Sequence, residues 1–439
     1  MNLRKRVREA GFTLVEMMVG VLIGMIAIVV MFQVFAISEG QKRTTAGASD
    51  AQQEGASSSY LIERDGRMAG YGMNYFPLYG CNVWGYWNPS GKAFNFTLAP
   101  AIITKGAATV PDKLVFAYAG TDTVSLPASL VQPTGSTPGY FDIGVSTGQF
   151  LLGDLVVFGE VPAALPLKDC SLFQATSYVA GDSSRIRVDS AFYVDDAGAT
   201  RSAQYTPPTA STTIQPAPHN QSYAKWTKGT KTGGRVFTLG KSPTVVEYSV
   251  VNNQLVYRSV LNPDDPGVAI ADNIVQFKAQ YGIAENNPAA LDQNGVAAPT
   301  CLLTTTTPCR IDASTAVIQP RMTPASPQTS SASPSQWVDD LPAAPYVMKP
   351  DDWRRIIAVR FVIVARSNQK ERTDPVTGVC TATTVMPVWT TNNGTTLDVS
   401  ADPDWRCYRY KTFEAVAALR NMMWFPDPSS DTLGSGAEN

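Results

Sequence analysis

Two hydrophobic periodicities divide the chain. From Met17 to Ser38 an apolar run of 22 residues carries no charge. As a helix at 1.5 Å per residue it would be roughly 33 Å long, enough to cross the hydrocarbon core of a bilayer. From Ser38 to about Met68 the pattern stays helical but turns small and polar. Ala and Ser dominate, and Gly40, Gly47 and Gly55 recur at spacings of seven and eight, a stripe that permits close packing. Tyr60, Leu61, Ile62 and Met68 thicken the apolar face where the helix is expected to dock on a head. Gly70-Tyr71-Gly72 predicts its end. A helix from Phe12 to Met68 would be about 85 Å long.

After Gly72 the period shortens to that of strands and turns. Strands are predicted over Lys113–Tyr118, Phe150–Phe158, Arg185–Val194, Thr244–Val251, Gln254–Ser259, Asn273–Tyr281, Arg354–Arg366 and Trp405–Leu419. Asn252-Asn253 between two of them is suited to a two-residue hairpin turn with positive φ. In Arg354–Arg366, Ile357, Val359, Phe361 and Ile363 fall on one face and are expected in the core, with Arg360 and Arg366 on the other. Two stretches read as surface inserts, near 200–234 and 285–352. The first is rich in Thr, Pro, Ser and Gly, and the second contains TPASPQTSSASPS.

Composition refines this picture. Of 439 residues 44% are hydrophobic and 16% charged, with 33 Gly and 31 Pro, the make-up of a folded protein rich in strands and turns. The net charge of −2 gives no support to nucleic-acid binding, and no such partner is expected. The charge is uneven, however. Arg4, Lys5, Arg6 and Arg8 against Glu9 leave the first eleven residues strongly basic. The positive-inside rule therefore puts Met1 in the cytoplasm and the head outside. Six cysteines, at 81, 170, 301, 309, 380 and 407, suit an oxidising compartment and allow 15 pairings. Proximity in sequence favours Cys301–Cys309 and Cys380–Cys407, which leaves Cys81–Cys170.

An ordinary signal peptide or a plain single-pass anchor would account for the apolar run but not for Glu16. A carboxylate in such a span costs on the order of 2.5–3.5 kcal/mol at the centre, less near an edge, and usually has a partner. Gly11-Phe12-Thr13-Leu14-Val15-Glu16 resembles the class III signal of type IV prepilins. The resemblance implies that a prepilin peptidase cuts after Gly11 and methylates Phe12, and that Glu16 becomes the fifth residue of the mature chain. Glu16 would then offer its charge to the N-terminus of a neighbouring subunit, since paired charges are less costly in lipid than isolated ones.

Leu61–Gly72, Asp272–Ile283, Arg354–Ser367 and Tyr410–Asn421 resemble, in order, segments of PilW-type minor pilins, relatives of the J minor pseudopilins of type II secretion. The implied fold is α+β: a long N-terminal pilin helix, half in the membrane and half packed on the head, followed by a large, mainly antiparallel β head with long loops. The boundaries expected are a cleaved leader over 1–11, a transmembrane and filament-core helix over 12–38, its continuation over 39–72 and the head over 73–439. The implied function is initiation of pilus assembly, with a place at the pilus tip. A tip adhesin, a DNA-uptake subunit and a minor pseudopilin of a secretion system are the alternatives. Prepilin peptidase, other minor pilins, the major pilin, a large tip adhesin and the inner membrane are the implied partners. Many relatives carry a calcium loop after the segment ending at Ile283. Here only Asp292-Gln293-Asn294-Gly295 retains part of it, and a solvated loop is expected.

The chain offers little catalytic chemistry. Its single histidine, His219, sits in a Pro/Asn-rich stretch, and no phosphate-cradling glycine loop or HExxH occurs. Asp195-Asp196, Asp264-Asp265, Asp339-Asp340 and Asp351-Asp352 read as turn formers rather than acid/base pairs. No enzyme activity, cofactor or metal is expected. The aromatic run Tyr71, Tyr75, Phe76, Tyr79, Trp84, Tyr86 and Trp87 reads as core or subunit contact at the helix–head junction, with an exposed adhesive surface as the alternative.

Overall fold

A computed structural model describes residues 13–423 apart from 74, 121–126, 130–139, 143–149, 161–168, 180–181, 189, 206–233, 284–336, 342–349, 351–352, 354–355 and 375–376. Helix α1 runs without a break over Leu14–Met68. Thr13 caps its start, its hydroxyl accepting from the Glu16 N–H at 3.3 Å. Beyond Ala69, Gly70 takes φ 79° and Gly72 φ 68°, the left-handed conformation that turns the chain away. The orphan carbonyls at the helix end are met from the far end of the chain. Asn421 Nδ2 lies 3.4, 3.1 and 3.1 Å from the carbonyls of Arg67, Met68 and Ala69.

The head is built from sheets of mainly antiparallel strands. One five-stranded sheet has the order β16 (Val268–Ala271), β15 (Gln254–Ser259), β14 (Thr244–Val251), β4 (Lys113–Tyr118), β3 (Ala101–Thr104). The turn between β14 and β15 has Asn252 at φ 51° and Asn253 at φ 60°, as a two-residue hairpin requires. A four-stranded sheet has the order β18 (Trp337–Val338), β17 (Ile274–Ile283), β19 (Ile356–Arg366), β22 (Tyr410–Ala418). A six-stranded sheet runs β2 (Lys92–Thr97), β1 (Asn82–Trp87), β8 (Cys170–Gln174), β7 (Leu155–Glu160), β13 (Gly234–Gly240), β5 (Ala128–Ser129). Its β1–β8 contact is parallel. Smaller sheets join β6 (Tyr140–Asp142), β10 (Asp182–Arg187) and β9 (Ser177–Val179), then β11 (Phe192–Val194) with β12 (Thr200–Ser202), and β20 (Val388–Trp389) with β21 (Thr395–Thr396).

One large core joins α1 to all three main sheets, through residues such as Ile62, Tyr79, Phe116, Tyr248, Phe277 and Phe361. A second cluster fills the other side of the six-stranded sheet, with Phe150, Phe158, Phe173, Ile186 and Val236. A third, with Val362, Val364, Trp389, Leu397 and Val399, lies on the other face of β19. Its second face is not solvated, because the long connection to β22 folds back over it. Arg360 is consequently buried. Val359, Phe361 and Ile363 lie in the core as expected, and only the start of the strand departs. A register shift at Gly282/Ile283 sends Ile356 into the core and leaves Ile357 only half-buried.

Other strand boundaries differ from expectation for local reasons. Phe150 lies ahead of a turn in which Gly153 takes φ 93° and the Asp154 carboxylate accepts the Leu151 N–H at 3.0 Å, so the strand starts at Leu155. Arg185–Val194 is divided between β10 and β11, with Ser190 bonded to Thr176 in between. Trp405–Cys407 forms a 3-10 turn ahead of β22. The insert near 200–234 begins in ordered structure. Thr200–Ser202 forms β12, and Tyr205 packs edge-on against Trp87 and Phe94, where burial pushes its phenol up to about 12. Within 285–352, Trp337-Val338 pairs with Tyr281 and Gly282.

Candidate functional site: the N-terminal helix and its seat

The first half of α1 is built for lipid or for other helices. From Leu14 to Glu39 it is long and apolar enough to span a membrane, and none of the span is covered by the head. Glu16 stands exposed on the first turn. Gly11 and Phe12 lie outside the described residues, as does the rest of the leader.

The second half is built for the head. Gly47, Ala51, Gly55, Ser58, Ile62, Asp65 and Gly66 are its buried positions, with Ala69 at its C-cap, spaced three or four apart except for the adjacent Asp65 and Gly66, so that they keep to one face. Glycine allows the close approach. A Cβ on Gly55 would lie 2.0 Å from Phe413 Cε2, and one on Gly66 would lie 2.5 Å from Ala417 Cβ. Tyr60 and Met68, expected on this docking face, instead point to solvent, because the small residues and Ile62 set the stripe. A polar lock completes the seat. Asp65 is fully buried, accepts from the Tyr248 hydroxyl at 2.7 Å and pairs with Arg64 at 2.8 Å. Burial first, then the Asp65 carboxylate, pushes the Tyr248 phenol far above its ordinary value.

The aromatic run is head structure. Tyr79 and Trp87 are buried and the other five are half-buried. Tyr79 donates to the Met73 carbonyl at 2.6 Å, and the Trp87 indole donates to Asp264 at 3.0 Å. Cys81 is bonded to Cys170, tying the strand after the helix end to β8, and Cys380 is bonded to Cys407, closing the connection between β19 and β22. Cys301 and Cys309 lie outside the described residues.

Charged groups inside the head serve as struts. Asp112 is fully buried and receives Lys105 at 2.9 Å, Lys278 at 3.2 Å and the N–H groups of Gly106 and Ala279 at 3.0 Å each. Arg360 donates to Gln280 at 2.6 Å, the Thr391 carbonyl at 2.8 Å and Asn392 at 2.8 Å. Its guanidinium lies over Trp337 and Trp389. Five of the paired carboxylates are likewise occupied. Asp195 holds Arg201, Asp196 holds Lys241, Asp264 holds Lys92, Asp339 holds Lys105, and Asp265 accepts the Ser259 and Gly267 N–H groups. Asp351-Asp352, His219 and Asp292–Gly295 lie outside the described residues. Among the described residues no group of three or more His, Cys, Asp or Glu is placed to hold a metal.

An exposed apolar lead helix that continues into a β-rich head fits a membrane-anchored, prepilin-like protein. Residues 6–32 match the family model for the prokaryotic N-terminal methylation motif, and residues 244–421 match that for type IV pilus-assembly protein W. The two matches support a prepilin-like minor pilin of the PilW type, and the matched domains point to a structural rather than an enzymatic protein. No curated protein and no solved structure matches it.

Proposed function

We propose that this minor pilin helps to initiate the pilus and remains at its tip. The observation that carries the reading is the size of the head relative to its helix. After Gly72 come 367 residues of a 439-residue chain, which as one compact body have a radius of gyration of roughly 21 Å. Major pilins share the lead helix but carry much smaller heads. A head this large, repeated along a tight helical lattice, would meet the next layer. At the tip nothing lies above it.

In this reading the basic leader stays in the cytoplasm and prepilin peptidase cuts after Gly11 and methylates Phe12. The head, with its disulfides, stands on the oxidising periplasmic side. Glu16 then pairs with the N-terminus of an adjacent subunit and sets the register of a starting layer made with other minor pilins. The major pilin adds below, and a large tip adhesin can sit above. Tyr79 and Trp87, bound into the head, favour a structural role for the aromatic run over an adhesive one.

Quantitative mass spectrometry of sheared pili tests the proposal. The protein should be present far below the major pilin, with a mature N-terminus at Phe12, and its deletion should reduce the number of surface pili. Near-equal amounts of the two, or immunogold labelling spread evenly along the shaft, would refute the tip position.

A further inference from the structure

Among the described residues, the last strand of the four-stranded sheet ends it with an open backbone. Strand β22 pairs with β19 on one side only, over nine successive pairs without a register shift. Its odd-numbered positions bond inward: Leu419 N–H reaches the Ile357 carbonyl at 2.9 Å, and the Arg409 carbonyl accepts from Ser367 at 2.8 Å. Antiparallel alternation then turns the N–H and C=O groups of Thr412, Glu414, Val416 and Ala418 outward. No described residue pairs with them. Val416, among these four, is 50% exposed.

Folded proteins usually blunt such an edge with proline, a bulge or a free charge. Here the strand has neither proline nor bulge. Its two charged side chains are drawn aside, Lys411 to Gln52 of α1 at 2.8 Å and Glu414 to the N–H groups of Thr390 and Thr391 at 2.6 and 2.9 Å. The edge of β3 is treated differently: the Tyr281 hydroxyl lies 2.5 Å from the Ile103 N–H and 3.4 Å from its carbonyl.

We infer that the outer edge of β22 is a strand-pairing surface for an edge strand in the head of another prepilin-like subunit. Unpaired strand groups in a row select an extended polypeptide backbone. Position selects which one. Strand β22 runs alongside α1 and in its direction, with Lys411 at Gln52, Phe413 at Gly55 and Ala417 at Gly66. A neighbour anchored by the same kind of helix brings its own head to the same height above the membrane. The edge is thus continuous with the helix by which this class assembles. The inference rests on the co-assembly proposed above.

Two variants of the full chain test it. Val416→Pro removes an outward N–H that β19 does not use, and Val416→Lys places a free charge on the edge. Both should be processed and should melt as wild type with Cys380–Cys407 intact, while their amount in sheared pili, by quantitative mass spectrometry, falls at least about tenfold. Recovery of either folded variant at the wild-type level would overturn the edge assignment while leaving the tip reading in place. Should the proline variant misfold, the lysine variant decides alone, since it keeps every backbone bond. Absence of the wild-type protein itself from sheared pili would overturn the co-assembly reading and this inference with it.

Discussion

Gly55 is the tightest point between helix and head, and Gly55→Ala measures that contact. The added Cβ would lie 2.0, 2.1 and 2.6 Å from three ring carbons of Phe413, where carbon atoms normally rest about 3.5–4.0 Å apart. Ring or helix must therefore move by about 1.5 Å. Phe413 packs against the main core, so the ring cannot simply swing into water. Overpacking of this kind costs about 1–3 kcal/mol, against about 1 kcal/mol gained by replacing glycine with alanine inside a helix. The net expectation is a loss of up to about 2 kcal/mol. Denaturant unfolding of the full chain in detergent, followed by tryptophan fluorescence, gives the number. Phe413→Leu should relieve the clash, so the double variant should be more stable than the two single effects predict, by about 1 kcal/mol. Gly20→Ala is the control, since nothing lies within 4 Å of that position. A Gly55→Ala protein more stable than wild type by the full propensity gain, or a coupling of zero, would show that α1 does not sit against β22 as described.

Three further outcomes are expected. Asp65→Ala leaves the buried Tyr248 hydroxyl with only the Leu61 carbonyl at 3.5 Å and should cost about 1–3 kcal/mol in the same unfolding assay, part of it recovered by adding Tyr248→Phe. At Glu414, burial raises the carboxyl's pKa, but the N–H groups of Thr391 and Thr390 outweigh it and hold the pKa below the usual range. Its stabilisation is present above the ordinary glutamate range and is lost as pH falls through the depressed value. Glu414→Gln should therefore unfold more easily near neutral pH, by roughly 1 kcal/mol, and match wild type in strong acid. Replacing both Cys380 and Cys407 by Ser opens a 27-residue link and should cost about 2–4 kcal/mol, with faster proteolysis between β19 and β22 as a second readout.

Much of the fold was legible because local chemistry decided it. The hairpin at Asn252-Asn253 follows from two residues that tolerate positive φ between two alternating strands. The strand Lys113–Tyr118 and the end of the lead helix at Gly70 were equally local. What escaped depends on contacts distant in sequence. Nothing in β19 says that its second face is covered, since Trp389, Leu397 and Val399 come from a connection with no periodicity of its own. The burial of Arg360 follows from that cover. Its one early sign was a charge amid an apolar run, and its partners Gln280, Thr391 and Asn392 could not be named from spacing. The helix stripe was half legible. Gly47 and Gly55 stand out as small, but which side they face is fixed by Ser367 and Phe413, more than 300 residues away. The prepilin motif was readable in full because its residues are consecutive, whereas the seat of the helix draws on both ends of the chain.

The shared direction of α1 and β22 has a mechanical consequence. Between Gln52 and Gly66 the helix rises about 21 Å, and from Lys411 to Ala417 the strand covers about 20 Å, so the two advance in step. A pull applied along the axis of α1 loads the contacts from Gln52 to Gly66, the Asp65–Tyr248 lock and the Asn421 cap together, in shear, instead of peeling them apart one after another. Both elements then carry the load to the sheet at once, and the head stays on its stalk until the whole row yields.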